Sequence, residues 1–192
     1  MQSIRMIDQL QVIKACLKGK ILAQRQLYDS YSEQMLGICY RYTKSLPDAE
    51  DVLQEGFVRV FNNLHQYKGE GELGAWIRKI MVNTAINYLR KHSRYRNDMS
   101  FSDVHMHPVS TDDPEITLNA KELADLVCQL PTGYQTIFNL HAVEGYTHVE
   151  IGQMLGISEN TSRSQYMRAR NVLMSRIVQF SQEPKNESYA EK

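Results

Sequence analysis

Cysteine is scarce in this chain: Cys16, Cys39 and Cys128 are the only three in 192 residues, and no two form a CxxC pair. An odd, scattered set argues against a disulfide framework or a thiolate zinc site and fits buried thiols in a reducing compartment. No apolar run approaches the roughly 20 residues that span a bilayer, so no membrane insertion is expected. The N-terminus places Asp8 among basic residues and has no continuous apolar stretch, unlike a secretory signal. Walker, GxSxG and GxGxxG motifs are absent. The only close histidine pair, His105-x-His107, stands in a polar stretch without a nearby cysteine or an HExxH helix. His141 and His148 read as ordinary helix residues. An enzyme is therefore not expected, nor a metal, a cofactor or a small-molecule substrate.

What is present is a soluble, globular composition: 42% hydrophobic and 23% charged residues, enough for one ordinary domain or two small ones. The net charge of zero hides a segregation. Residues 1–96 carry 15 basic and 9 acidic side chains, whereas residues 97–130 carry 1 basic and 7 acidic. Basic blocks attract phosphate and an acidic one repels it.

Helical spacing dominates, with no convincing strand alternation, so the expected fold class is all-α. A first helix is read from about Ile7 to Leu17, ending at Gly19. A second runs from Ile21 to Tyr42 with a possible break near Ser30. A third is opened by Ser45-Leu46-Pro47-Asp48, an N-cap serine with a first-turn proline and a carboxylate three residues on, and reaches about Leu64. Gly69, Gly71 and Gly74 mark a loop before a fourth helix from Leu73 to His92. The Ser-Asp pairs, Pro108 and Asp112-Asp113-Pro114 mark residues 97–117 as an acidic linker. A second helical unit is expected over residues 118–180, with a disordered tail over 181–192. The organisation is thus two small helical domains, 1–96 and 118–180, on a flexible acidic tether.

The most specific local pattern lies near the C-terminus. In Thr147-His148-Val149-Glu150-Ile151-Gly152-Gln153-Met154-Leu155-Gly156-Ile157-Ser158, Gly156 occupies a turn that favours a left-handed backbone and Ser158 can cap a following helix. Gly152 permits a close helix crossing. In the second helix Ser162, Tyr166, Ala169 and Leu173 recur at inward spacing. The other surface then offers Asn160, Arg163, Ser164 and Arg168, with Gln165 on its flank, a set suited to base edges and phosphates in a major groove. An ordinary glycine-turn hairpin is the plainer alternative, but capping, small-residue and basic-face signals coincide.

Two opposed charge faces mark the N-terminal half. On the third helix Asp48, Asp51 and Glu55 lie opposite the apolar stripe Leu53, Phe57, Val60, Phe61 and Leu64. Such a face is either a solvated surface favoured near a helix N-terminus or a dock for a basic partner. On the fourth helix Lys79, Asn83, Asn87 and Arg90 form a polar stripe, joined by Arg78 and Lys91, and no acid occurs between Leu73 and Asn97. Tyr67, Trp76 and Tyr88 interleave with it, as in surfaces that hold single-stranded nucleic acid. Trp76 itself is expected in the core.

Taken together these blocks resemble a known family. Leu46-Pro47-Asp48-Ala49-Glu50-Asp51-Val52-Leu53-Gln54-Glu55 is similar to the acidic block of region two of the sigma-70 family. The segments Tyr67-Lys68-Gly69, Trp76 to Asn83 and Asn87 to Lys91 are similar to the block after it. Leu130-Pro131-Thr132-Gly133-Tyr134-Gln135 and the helix-turn-helix through Arg168-Ala169-Arg170 resemble region four. The order, the spacing and the short linker match the extracytoplasmic-function (ECF) subfamily of bacterial sigma factors. Ser162 and Gln165 depart from it, standing where the family often has a branched aliphatic and a basic residue.

The resemblance implies a cytoplasmic, non-enzymatic factor that directs core RNA polymerase to promoters, binding its β′ clamp and β flap. Asp48, Asp51, Gln54 and Glu55 would dock on the clamp. Tyr67, Lys68, Lys79, Asn83, Asn87, Arg90 and Lys91 would engage the −10 element, and Asn160, Arg163, Ser164, Gln165 and Arg168 the −35 duplex. The linker would thread through the polymerase, and an anti-sigma factor is an expected partner. A lone dimeric helix-turn-helix repressor is the rival reading; it leaves the basic aromatic segment and the acidic stripe unexplained.

Overall fold

Ser45 opens a helix because its hydroxyl accepts from the Asp48 amide, 3.5 Å away, while Pro47 stands in the first turn where no intrahelical N–H is needed. A computed structural model of the chain describes residues 2–92 and 119–182. These fall into two compact units. No strand occurs among the described residues.

The first unit comprises α1 (Gln2–Leu17), α2 (Ile21–Thr43), α3 (Leu46–Asn63), a 3-10 turn (Leu64–Gln66) and α4 (Leu73–Lys91). Helices α2, α3 and α4 pack on one another, and α1 packs on α2. Met35, Ile38 and Tyr42 of α2, Leu53, Phe57 and Val60 of α3, and Leu73, Ile77, Met81 and Ala85 of α4 are all buried, so each helix gives one stripe to a shared core. Burying such side chains is worth about 1.5–3 kcal/mol apiece, which makes this core the main source of the unit's stability. No break occurs in α2 at Ser30, whose hydroxyl donates to the Gln26 carbonyl one turn back at 2.7 Å, a bond compatible with a continuous helix. Cys16 and Cys39 are buried and Cys128 is half-buried; burial pushes the Cys39 thiol up to about 12, far from reactive.

The second unit comprises α5 (Ala120–Cys128), α6 (Thr132–Phe138) continuing into a π-helical turn (Asn139–Val143), α7 (His148–Leu155) and α8 (Glu159–Gln182). Leu126, Val127, Leu130 and Tyr134 meet Ala169 and Leu173 of α8 in its core. Reciprocal capping boxes start two of these helices, Asn119 with Glu122 and Thr147 with Glu150. Gly156 ends α7 at φ 71, a backbone that glycine adopts without strain. The linker at 97–117 and the His105/His107 pair lie outside the described residues. So does the tail beyond Gln182, while α8 itself continues through that residue.

Gly152 decides how α7 crosses the start of α8. A Cβ there would stand 2.8 Å from the Ile157 carbonyl oxygen, a backbone atom that cannot swing aside. Gly152→Val should therefore destabilise the second unit by about 1–3 kcal/mol, the usual cost of overpacking. Circular dichroism of the full chain should lose the second unit's helices at lower temperature. Fluorescence of Trp76, the sole tryptophan and a reporter of the first unit, should melt unchanged.

A candidate nucleic-acid interface in two units

On α3, Asp51 and Gln54 are exposed and Asp48 and Glu55 half-exposed; Asp48, Asp51 and Glu55 lie opposite the buried Leu53 and Phe57, with Gln54 on the flank. Glu55 accepts from Arg59 one turn on at 2.6 Å, so its charge is partly answered from within the helix. Asp48 and Asp51 keep the face acidic near the helix N-terminus, where backbone N–H groups favour carboxylates. The i, i+4 spacing from Glu55 to Arg59 was available in the sequence, and Arg59 belongs to this surface's electrostatics.

The loop between the 3-10 turn and α4 is closed on itself. Gly69 and Gly71 both adopt φ 78, and Tyr67 donates its phenol hydrogen to the Gly71 carbonyl at 2.7 Å. Trp76 is only half-buried: its ring lies 5.7 Å from that of Tyr67, at the border between core and surface. The expected core tryptophan is thus an edge aromatic, because Leu73, Ile77 and Met81 already fill the inward stripe of α4. Burial, and secondarily the carboxylate of Glu72, raise the Tyr67 phenol and keep it protonated as a donor. Further along α4, Lys79, Asn83, Arg90 and Lys91 are exposed and Asn87 is half-exposed, forming one cation-and-amide face opposite the core. Tyr88 is half-buried with its ring 4.0 Å from His92.

In the second unit, Ser158 caps α8 by accepting from the Thr161 amide at 3.0 Å. Asn160, Arg163 and Ser164 are exposed, and Arg168 is half-exposed on their flank. Gln165 is different. It is 4% exposed, and its Oε1 has no hydrogen-bond partner among the described residues, so it cannot serve as the expected DNA contact. The inward stripe is Ser162, Gln165, Ala169 and Leu173. Steps of three and then four residues turn it slightly from the expected arc, leaving Tyr166 half-buried in place of Gln165. Met167, not expected from the sequence, is 49% exposed between Arg163 and Ser164 on the outward face.

Ser162 is fully buried, yet its hydroxyl is satisfied by His148 Nδ1 at 2.9 Å, a bond from the first residue of α7 to α8. His148 stacks on His141 with ring centroids 4.2 Å apart, and Tyr166 packs edge-on against His141 at 4.6 Å. The π-helical turn brings His141 there, and its Nδ1 donates to the Tyr146 carbonyl at 2.8 Å. These histidines are therefore not ordinary helix residues but a joint that ties α7 to α8 and to the segment before it. The helical spacing carried no trace of this pairing, because the π turn shifts the register between them.

This joint is expected to respond to acid. Burial, then the neighbouring His141 and Arg163, hold His148 below its ordinary value, with Glu159 acting weakly in the opposite sense. The unfolded chain takes up the proton first, near pH 6.5, so stability is complete above that pH and falls as pH drops toward the folded value. Denaturant unfolding of the full chain should give a lower midpoint for the second unit at pH 5.5 than at pH 7.5. In His148→Gln that pH difference should shrink, while the first unit, followed through Trp76, behaves as before.

Comparison with known proteins agrees with this geometry. The family model for sigma-70 region 2 matches residues 27–95, and that for sigma-70 region 4 matches residues 120–173. The ECF RNA polymerase sigma-E factor of Haemophilus influenzae is 28% identical over 177 residues, covering 86% of this chain and 93% of that one. The ECF sigma factor SigW of Bacillus subtilis is 25% identical over 176 residues, covering 86% and 94%. Among solved structures, the sigma factor RpoE of Bartonella quintana, in complex with the anti-sigma factor NepR, has a TM-score of 0.48 and 17% identity. That likeness covers 81% of this chain and 96% of the other. With an acidic helix and a cationic helix in one unit, a capped helix-turn-helix in the other, and both regions matched in order, the chain belongs to the sigma-70 family of RNA polymerase sigma factors, in its ECF group.

Proposed function

We propose that the chain, as a sigma factor directing core RNA polymerase to promoters, divides that task among three of its own surfaces. The observation that carries the reading is the cationic and amide face of α4, exposed opposite the core and free of acids from Leu73 to Lys91, in one chain with a capped helix-turn-helix. Lys79, Asn83, Asn87, Arg90 and Lys91 follow the −10 strand, pairing with phosphates and base edges. Tyr67 and Lys68, in the self-closed loop beside Trp76, receive an unstacked base. Unstacking costs a few kcal/mol, and binding to the opened strand recovers it, so melting needs no nucleotide hydrolysis.

Asn160, Arg163 and Ser164 address the −35 major groove. Arg168, turned toward the flank, suits a phosphate better than a base edge. The acidic face of α3, led by Asp48, Asp51 and Gln54 with Glu55 shared by Arg59, docks on a basic surface of the polymerase clamp. The partners are thus core polymerase and promoter DNA, with an anti-sigma factor as regulator on the strength of family membership, and the place of action is the cytoplasm.

Run-off transcription with core polymerase tests both DNA and polymerase contacts. Arg163→Ala with Arg168→Ala should lower initiation from −35-dependent promoters at least tenfold and flatten its salt dependence, since fewer phosphates are neutralised. Unchanged initiation would remove the −35 assignment. Asp51→Lys should weaken association with core polymerase at low salt, and the difference from the parent should narrow as salt rises.

A further inference from the structure

The outward face of α8 carries one acid, Glu159, in its first turn among Asn160, Arg163, Ser164 and Met167. A carboxylate there is repelled by DNA phosphates and gains nothing from the backbone of a duplex. Yet it is bonded to the arginine best placed to read bases. Arg163 donates from Nε at 3.0 Å and from Nη2 at 2.5 Å, both to Oε1 of Glu159. Neither side chain makes another hydrogen bond among the described residues, so Oε2 of Glu159 and Nη1 of Arg163 stay available. The pair is partly exposed, 41% for the Glu159 side chain and 61% for Arg163, and so open to a groove.

A donor held beside a free acceptor has a specific complement on DNA. Across the major-groove edge of a guanine–cytosine pair, the guanine N7 and O6 acceptors stand next to the cytosine N4 amino donor. Guanidinium hydrogens on N7 and O6, with Oε2 accepting from N4, satisfy every group of that edge. A thymine–adenine pair also sets an acceptor, O4, beside a donor, N6. Next to O4, however, it carries a methyl group where guanine has N7, and the guanidinium would face that methyl.

Resting on the proposed −35 role of α8, we infer that Glu159 is a specificity-determining residue: locked to Arg163, it reads the cytosine of one guanine–cytosine pair whose guanine Arg163 reads. The lock also keeps Arg163 from the rotamers that would reach phosphates at any sequence, so Glu159 disfavours non-specific binding as well. The plainer role, a carboxylate stabilising a helix N-terminus, predicts a change in stability but none in base preference.

The test is run-off transcription by core polymerase with the full chain, on a promoter pool randomised through the −35 element and read by sequencing. The parent should show one position where the guanine–cytosine pair exceeds the other three at least tenfold. In Glu159→Gln an amide replaces the free acceptor; preference at that position alone should fall about tenfold, and initiation from mismatched promoters should rise. Arg163→Ala should abolish preference at the same position. If Glu159→Gln reproduces the parent profile, or scales initiation from all promoters equally, while Arg163→Ala alters it, the inference on Glu159 is overturned and the −35 role of α8 stands. If Arg163→Ala also leaves the profile intact, the −35 role itself fails and the inference with it.

Discussion

The helix-turn-helix of the second unit hangs from one steric constraint, the close crossing of α7 and α8 at Gly152. The Ile157 carbonyl occupies the space that any Cβ at Gly152 would need. Gly156 completes the turn in a left-handed backbone, and Ser158 caps the helix that follows. Together they hold α8 at one angle to α7, which fixes where its outward face of Asn160, Arg163 and Ser164 points relative to the rest of the unit. A looser turn would let that whole face swing relative to the rest of the unit, although its residues stay together on one helix.

Around this constraint the unit uses polar groups where a small core has little apolar material. Ser162 and Gln165 are buried on α8, and Gln135, Thr136 and Asn139 are buried near the π-helical turn. Ser162 is answered by His148, and the stacked pair of His148 and His141 ties α7 to the preceding segment. A neutral imidazole does this well; a charged one sits poorly beside another histidine and Arg163. The joint that ties α7 to α8 therefore carries a group whose protonation is disfavoured in the folded unit. The first unit depends on apolar stripes instead, with Met35, Tyr42, Phe57, Ile77 and Met81 all buried.

In both units, helices α3, α4 and α8 commit one side to a core and leave a charged side outward. On α3 the outward side is acidic, on α4 cationic, and on α8 mixed, where a single carboxylate restrains an arginine. Opposite charges on neighbouring helices give one small bundle an acidic and a cationic surface.

Much of this was legible in the residues alone. Period-3.6 apolar spacing identified the helices, and the Ser45-Leu46-Pro47-Asp48 start and the Gly156-Ile157-Ser158 turn carried their own punctuation. The faces of α3 and α4 followed from 100° per residue, and family likeness followed from those same blocks. Tertiary packing decided what periodicity could not. It placed Gln165 inside and Tyr166 partly outside, because the arc a helix buries is set by its neighbours and not by its own ideal stripe. It drew Trp76 to the rim beside Tyr67, since Leu73, Ile77 and Met81 had already filled the core. It stacked His141 on His148 across a π turn that breaks the regular register, and it bound Arg163 to Glu159. Local chemistry repeats along a chain and can be read from it; contacts between helices depend on where both ends arrive, and only the folded chain brings them together.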